Sequence, residues 1–306
     1  MALPTKDAPI KDWNFDLKIT NQPDRGNQLT VIYADGGGWK TTLASYAANP
    51  IILPVYLETG AKVSACPRFP NVGADQNPVH HVFAAIKWLT DEKHTRKTLV
   101  IDNLSNYRAA VQSDVIQDLG KTATGAAQPE YSISKFSYPY YGRLLADISR
   151  LQRKRDMDVI IIAHTEKYTT WVDGKGLDRV SASAISGEKT NAVKLIEGQA
   201  DNFYLIRNEP ITRSTEEGGI TKKTVQKVIG QGKTILYTAP QQEFFAKNRL
   251  FFHMQKSYEL KPNDDGMALK FAKTEQSFID FWRDFYDNPE YLPEPTRLKP
   301  KQEKTE

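Results

Sequence analysis

Between residues 28 and 240, short apolar runs alternate with longer stretches in which apolar residues recur every three or four positions. The short runs are QLTVIYA (28–34), PIILPVYLE (50–58), TLVID (98–102), DVIIIAH (158–164) and NFYLIR (202–207). They are rich in Val, Ile, Leu and Tyr. Several lack polar alternation, which predicts strands buried on both faces. The longer stretches TTLASYAA (41–48), NPVHHVFAAIKWLTDE (77–92) and YYGRLLADISRLQRKRD (140–156) predict helices. In the last of these, Leu144, Leu145, Ile148 and Leu151 fall at helical spacing. Strand–helix–strand alternation predicts right-handed crossovers and an α/β fold whose mainly parallel central sheet is flanked by helices. Such sheets bind ligands at the carboxyl ends of their strands.

Two segments, 120–140 and 165–193, break the pattern and read as long functional loops. Further on, KTVQKVI (223–229) and TILYTA (234–239) predict two strands joined by a hairpin turn at GQG (230–232). The chain divides into an irregular lead-in (1–27), a core (28–255) and a C-terminal extension (256–306). In the extension, SFIDFWRDFYDN (277–288) predicts an amphipathic aromatic helix, and the Pro-rich, charged residues 292–306 predict a flexible tail. That helix either docks a partner, such as a single-stranded-DNA-binding protein, or packs on the core.

Composition narrows the classes. The chain has 306 residues with 41 Lys+Arg against 37 Asp+Glu, a net charge of +4. This excess is too small to mark a nucleic-acid binder, so a DNA partner requires cationic residues concentrated locally. A single cysteine, Cys66, excludes a disulfide framework and a multi-thiolate zinc site. No apolar run approaches the roughly 18–20 residues of a membrane span, and the first residues lack the apolar region of a secretory signal. The expectation is a cytoplasmic protein without a membrane partner.

Candidate chemistry gathers at the ends of the apolar runs. ADGGGWKTT (34–42) lies after a strand and before a helix. Backbone N–H groups around Gly36, Gly37 and Gly38 can wrap phosphate oxygens, helped by the helix dipole. Lys40 would reach the β- and γ-phosphates of ATP, Thr41 would bind Mg2+, and Thr42 would complete the cradle. The usual phosphate loop has glycine where Ala34 and Trp39 stand. The indole of Trp39 either distorts the loop or turns outward to stack on adenine. Asp102, ending TLVID, is either the Mg2+-associated carboxylate or a helix cap. Glu58 either orients an attacking water or is a solvated loop residue. His164 either reports the γ-phosphate or is a satisfied buried histidine. Lys247 and Arg249, two apart in AKNR, either reach a neighbouring subunit's phosphate or form a solvated face. Basic and aromatic residues in the two long segments suit single-stranded DNA, with phosphates neutralised and bases stacked. They are Lys121, Lys135 and Phe136 in the first, and Lys167, Tyr168, Trp171, Lys175, Arg179 and Lys189 in the second.

In combination, VIYADGGGWKTTLA, VYLETG, LVIDNLS, VIIIAHTEK and AKNRL, in that order, resemble the RecA-type ATPase core. The similarity is greatest to phage-encoded RecA-like proteins that act as single-strand annealing recombinases, and it covers about residues 28–252. It implies a RecA-like P-loop NTPase core with ATP and Mg2+, binding single-stranded DNA in a ring or filament within a bacterial host's cytoplasm. It maps the water-activating glutamate to Glu58, the Mg2+-associated aspartate to Asp102 and the γ-phosphate sensor to His164. The late cationic pair acting across subunits maps to Lys247 and Arg249. Two other readings share the core: a degenerate P-loop protein that anneals DNA without hydrolysing ATP, and a helicase or helicase loader.

Overall fold

The computed structural model describes residues 26–37, 39–56, 58, 66–72, 76–122, 126–172, 175–184, 191–217, 223–250, 254–260 and 272–293. Five strands form a parallel block: β1 (Leu29–Ala34), β2 (Pro50–Pro54), β3 (Thr98–Asp102), β4 (Asp158–Val172) and β6 (Asn202–Glu217). Three strands are added antiparallel: β7 (Lys223–Tyr237) on β6, β9 (Ser257–Leu260) on β7, and the short β8 (Lys247–Asn248) on β6. The sheet order is β2-β3-β4-β1-β6-β7-β9, and β5 (Lys175–Ala182) pairs with the far end of β4.

Both faces of the sheet are covered, which is why its strands read as unbroken apolar runs. Val31, Tyr33, Leu99, Ile101, Val159 and Ile161 pack against α2 (Pro78–Asp91), α3 (Leu104–Leu119), α4 (Glu130–Arg155) and α5 (Ala192–Gln199). Their neighbours Ile32, Ala34, Val100, Ile160 and Ile162 face the opposite way, toward α1 (Lys40–Ala44) and α6 (Ala272–Tyr286). Helix starts follow the side chains available. Asn77 caps α2 by accepting from Val79 and His80 N–H groups, with Pro78 at the first helical position.

Several sequence expectations are corrected. The segment 120–140 is not one loop, because α4 begins at Glu130 and continues through Pro139. Burial of Ser137, Tyr141, Leu144, Leu145, Ile148 and Leu151 along one stripe offsets the backbone bond that the proline cannot make. The segment 165–193 is not a single loop. β4 runs on to Val172 and pairs antiparallel with β5 from Thr165–Ala182 to Val172–Lys175, and α5 follows. The predicted turn at 230–232 does not form, because β7 is one strand with register shifts opposite Asn208–Pro210 and Ile211–Thr212 of β6. The helix predicted over 41–48 is shorter, ending at Ala44.

The aromatic helix α6 lies against the core. Phe278, Phe281, Trp282 and Phe285 are buried beside Leu43, Tyr204 and Leu236. Three hydrogen bonds tie α6 and the residues after it to α1 and its following turn. Trp282 Nε1 donates to Leu43 O (2.8 Å), Ala48 N to Tyr286 Oη (2.9 Å) and Tyr291 Oη to Tyr46 O (2.8 Å).

Candidate active site

The phosphate-loop sequence lies where β1 meets α1, at the carboxyl edge of the sheet. Gly37 has φ +75° and Trp39 has φ +58°, both in the left-handed region. Glycine takes that conformation freely, whereas a side-chain-bearing residue is strained there by roughly 1–2 kcal/mol. The Trp39 ring is half-buried and tilted against Phe278 of α6, with ring centroids 6.4 Å apart. This packing holds the indole toward the C-terminal helix. Gly36 is exposed and Gly38 lies outside the described residues. Lys40 is buried, and its Nζ donates to the Ala34 carbonyl (2.9 Å) and the Asp35 carbonyl (2.8 Å). The amine thus curls back over the loop, on two neutral acceptors that phosphate oxygens can replace. Burial lowers its pKa, against the opposing pull of Asp102, Asp35 and Glu58. Thr42, next along α1, accepts at its carbonyl from Ser45 Oγ.

Two strands away, β3 delivers Asp102, whose Oδ2 accepts from Thr41 Oγ1 at 2.7 Å. Asp102 is buried, and burial pushes its carboxyl up to about 6, against the Thr41 hydrogen bond. The following residue, Asn103, is the N-cap of α3 and accepts from Asn106 N–H at 2.8 Å. Its amide also donates to Glu58 Oε2 (2.5 Å), and Asn106 Nδ2 reaches the same oxygen at 3.4 Å. Glu58, which follows β2, is therefore fixed beside Asp102 by two asparagine amides. On β4, His164 lies level with Ala34 in the sheet register, and its backbone N–H donates to Ser105 Oγ (3.1 Å). Burial and the nearby Lys40 lower the His164 pKa, so the ring is held neutral. One residue on, the Thr165 hydroxyl donates to the carboxylate of Asp35. Glu166 pairs with Arg108 of α3 at 2.9 Å, and the same guanidinium donates to Ala184 O at 3.2 Å. The root of the β4–β5 ladder is thus bonded both to the phosphate loop and to the helix that carries Asn103 and Asn106.

The set of oxygens suits a hard divalent cation. Among the described residues, no group of three or more His, Cys, Asp or Glu could hold a metal ion. Mg2+ needs no such cage, because one or two protein oxygens suffice when phosphates and waters complete the octahedron. The Thr41 hydroxyl and the Asp102 carboxylate supply them.

The remaining candidates are dispersed. Lys247 Nζ donates to the carbonyls of Glu197 (3.1 Å) and Ala200 (2.5 Å) at the end of α5, and Arg249 pairs with Asp201 at 2.6 Å. Both cations are thus engaged within the chain, away from Lys40. Lys121 is exposed after α3, and Lys135 and Phe136 are exposed on α4, with the Lys135 amine 5.7 Å from the Phe136 ring. Lys167 and Tyr168 are exposed on β4; Tyr168 is the register partner of Arg179 on β5, whose Nε donates to Gln242 O. Trp171 and Lys175 sit in the same ladder, and Lys189 lies outside the described residues. Sequence reasoning passed over Asp35, Asn103, Asn106, Arg108 and Thr165. The available signal was NLSN (103–106) directly after the strand, a helix cap that also brings an amide beside Asp102.

A parallel sheet with a glycine-rich loop, a lysine and a threonine at the first helix, and an aspartate at the end of a strand two positions away defines a P-loop nucleotide-binding domain. A family model described as an AAA domain matches residues 27–250, and the chain belongs to that family. It is therefore an ATP-binding P-loop NTPase domain, of a kind that usually uses Mg2+. No curated protein matches the sequence.

Proposed function

We propose that this protein is a RecA-like recombination ATPase. It binds Mg2+–ATP at the phosphate loop, holds single-stranded DNA beyond the carboxyl edge of the sheet, and promotes annealing of complementary strands. The observation that carries this reading is the convergence of Lys40, Thr41, Asp102, Glu58 and His164 on that one edge. The residue after Asp102 is an amide, so the second carboxylate is Glu58 from the turn after the neighbouring strand, as the resemblance to RecA-type proteins implies.

Lys40 releases two carbonyls to hold β- and γ-phosphate oxygens, and its charge balances theirs. Thr41 and Asp102 would hold the divalent ion, which would neutralise charge on the phosphates. Glu58, oriented by Asn103 and Asn106, accepts a proton from the attacking water. His164 donates a hydrogen bond toward the γ-phosphate, and the adjoining Thr165–Asp35 and Glu166–Arg108 contacts pass its presence to the β4–β5 arm. That arm, with Lys167, Tyr168, Trp171, Lys175 and Arg179, takes the DNA together with Lys121, Lys135, Phe136 and Lys189. Subunits assemble as a ring or filament; Lys247 and Arg249 would then have to leave their contacts at the end of α5 to act across the interface. The same resemblance places the protein in a phage-infected bacterial cytoplasm, where a single-stranded-DNA-binding protein is the natural partner.

The test measures ATP turnover and DNA binding together, with and without single-stranded DNA. Lys40→Ala should abolish ATP binding. Glu58→Gln should retain ATP and lose turnover by about 10²–10⁴-fold. Normal annealing and full ATP binding by Lys40→Ala would remove the mechanism. A second reading, a P-loop that binds DNA without hydrolysing ATP, is favoured by Trp39 in the place of glycine. A large gain of DNA-stimulated turnover in Trp39→Gly would support it, and unchanged turnover would show the indole to be harmless.

A further inference from the structure

The opposite, amino-terminal edge of the sheet has a charge distribution that the ATP site does not use. Residues 87–97, from the end of α2 to the start of β3, meet residues 150–156, from the end of α4 to the approach to β4. The bonds joining them are direct. Arg155 Nε donates to Thr90 O (2.8 Å) and its Nη2 to Glu92 O, and Lys154 pairs with Asp91 at 2.9 Å. These 18 residues hold eight Lys and Arg against three carboxylates. Their net +5 exceeds the +4 of the whole chain, so the other residues together sum to −1. The chain's basic excess is concentrated on this one surface.

Four of the eight cations, Lys87, Lys97, Arg150 and Lys154, pair with Asp91, Asp156 or Asp147, and the other four are left without a carboxylate partner among the described residues. Among the described residues, Lys93 and Arg153 are exposed and make no ion pair. Arg96 bonds the neutral Asn49 Oδ1 (2.7 Å), and Arg155 bonds only main-chain carbonyls. Offsetting the dipoles of α2 and α4 accounts for Arg155, which sits on the carbonyls ending α2. It does not account for Lys93 or Arg153, which touch no carbonyl among the described residues. Beside them Trp88 is 45% exposed, with its ring stacked on His94 (centroids 5.9 Å apart, 18° between planes) and edge-on to Phe69 (5.7 Å). An indole held flat on one side and open on the other, at the rim of unpaired cations, suits a phosphate backbone with splayed bases.

We propose that this edge is a second nucleic-acid surface, which takes a single strand by its phosphates on Lys93, Arg96, Arg153 and Arg155 and stacks a base on Trp88. It lies across the sheet from the arm assigned above, so one subunit engages strand at both ends of the sheet. It does not depend on ATP hydrolysis.

The test uses the full chain and a fluorescently labelled oligothymidine strand, with the matching duplex alongside. The patch variant combines Lys93→Glu and Arg153→Glu; the arm variant combines Lys167→Glu and Arg179→Glu. ATP binding and thermal midpoint confirm that each remains folded. The patch variant should bind the strand at least about tenfold more weakly at moderate salt. Its slope of log affinity against log salt should flatten by about 0.7 for each phosphate that is no longer neutralised. Trp88→Ala should weaken binding by roughly five- to a hundredfold, and Trp88→Phe should restore most of it. Unchanged affinity and slope in the patch variant overturn the proposal. If only the arm variant loses binding, this surface is wrong and the earlier reading stands; if only the patch variant does, the reverse holds. Tighter binding of duplex than of strand, with no effect of Trp88→Ala, overturns the stacking assignment.

Discussion

Asn103 shows how much one side chain can be asked to do. Its oxygen caps α3 while its nitrogen holds Glu58 next to Asp102. Asn103→Asp keeps an N-cap acceptor and removes the amide donor, placing a second negative charge against Glu58. The cap on α3 should persist, because an aspartate caps as well as an asparagine, while the buried carboxylate beside Glu58 should lower the thermal midpoint. On the function proposed above, turnover should fall by about tenfold or more at little change in apparent ATP affinity, since Glu58 loses its orienting donor and the cradle is untouched. Equal loss of binding and turnover would show that Asn103 serves the loop rather than Glu58. At this scale the sequence showed the order Lys40, Glu58, Asp102, His164. It did not show the bonds that hold them, because an asparagine after a strand has the same signature whether it caps a helix, orients a carboxylate or does both. Trp39 likewise read in two ways, as an obstacle in the phosphate loop or as a ring turned outward for adenine. Its resting place against Phe278 depends on a helix more than two hundred residues away.

Elements were readable in proportion to their periodicity. The five parallel strands and α2 stand out because burial on both faces, or along one stripe, leaves a plain pattern. α3 escaped because only Leu104, Tyr107, Ala110, Val111 and Val115 are buried among many polar neighbours. The β4–β5 ladder and the outer part of β6 escaped, and β7 was legible only as two strands with a turn between them, because these stretches run on beyond the parallel block of the sheet. The first turns of α4 were hidden by a proline that local rules read as a break. α6 was legible as an amphipathic aromatic helix, whereas its partner was not. Phe281 is fully buried against Tyr204, Tyr258 and Trp282. Phe281→Ala should cost about 3–5 kcal/mol in chemical denaturation. A loss below about 1 kcal/mol would mean that α6 adds little to the core it covers.

For the whole molecule, the buried acids that titrate at high pH set an upper limit to its stable range. Burial pushes the Cys66 thiol up to about 12, and holds the Tyr33, Tyr107 and Tyr258 hydroxyls well above their ordinary value. The unfolded chain releases these protons near pH 8.5 for the thiol and near 10 for the phenols, while the folded chain keeps them. The unfolded state then binds fewer protons, so stability falls as pH rises, by up to about 1.4 kcal/mol per pH unit for each group. Denaturant midpoints at pH 8 and pH 10.5 should differ clearly; equal midpoints would contradict this. Because Cys66 is the chain's one cysteine, a thiol reagent at pH 8 should label the native protein slowly and take up one equivalent on unfolding.

β1, which ends in the phosphate loop, is gripped on either side by β4 and β6, and both flanking strands run on past its last residue as two-stranded arms. β4 and β6 each run from sheet into arm as one strand, β6 through two register shifts against β7, so the same strands serve as handle and as socket. Tension on a polymer drawn across the arms would therefore be felt as torque on the two strands that bracket Lys40. Stretching a bound strand should consequently alter how tightly ATP is held.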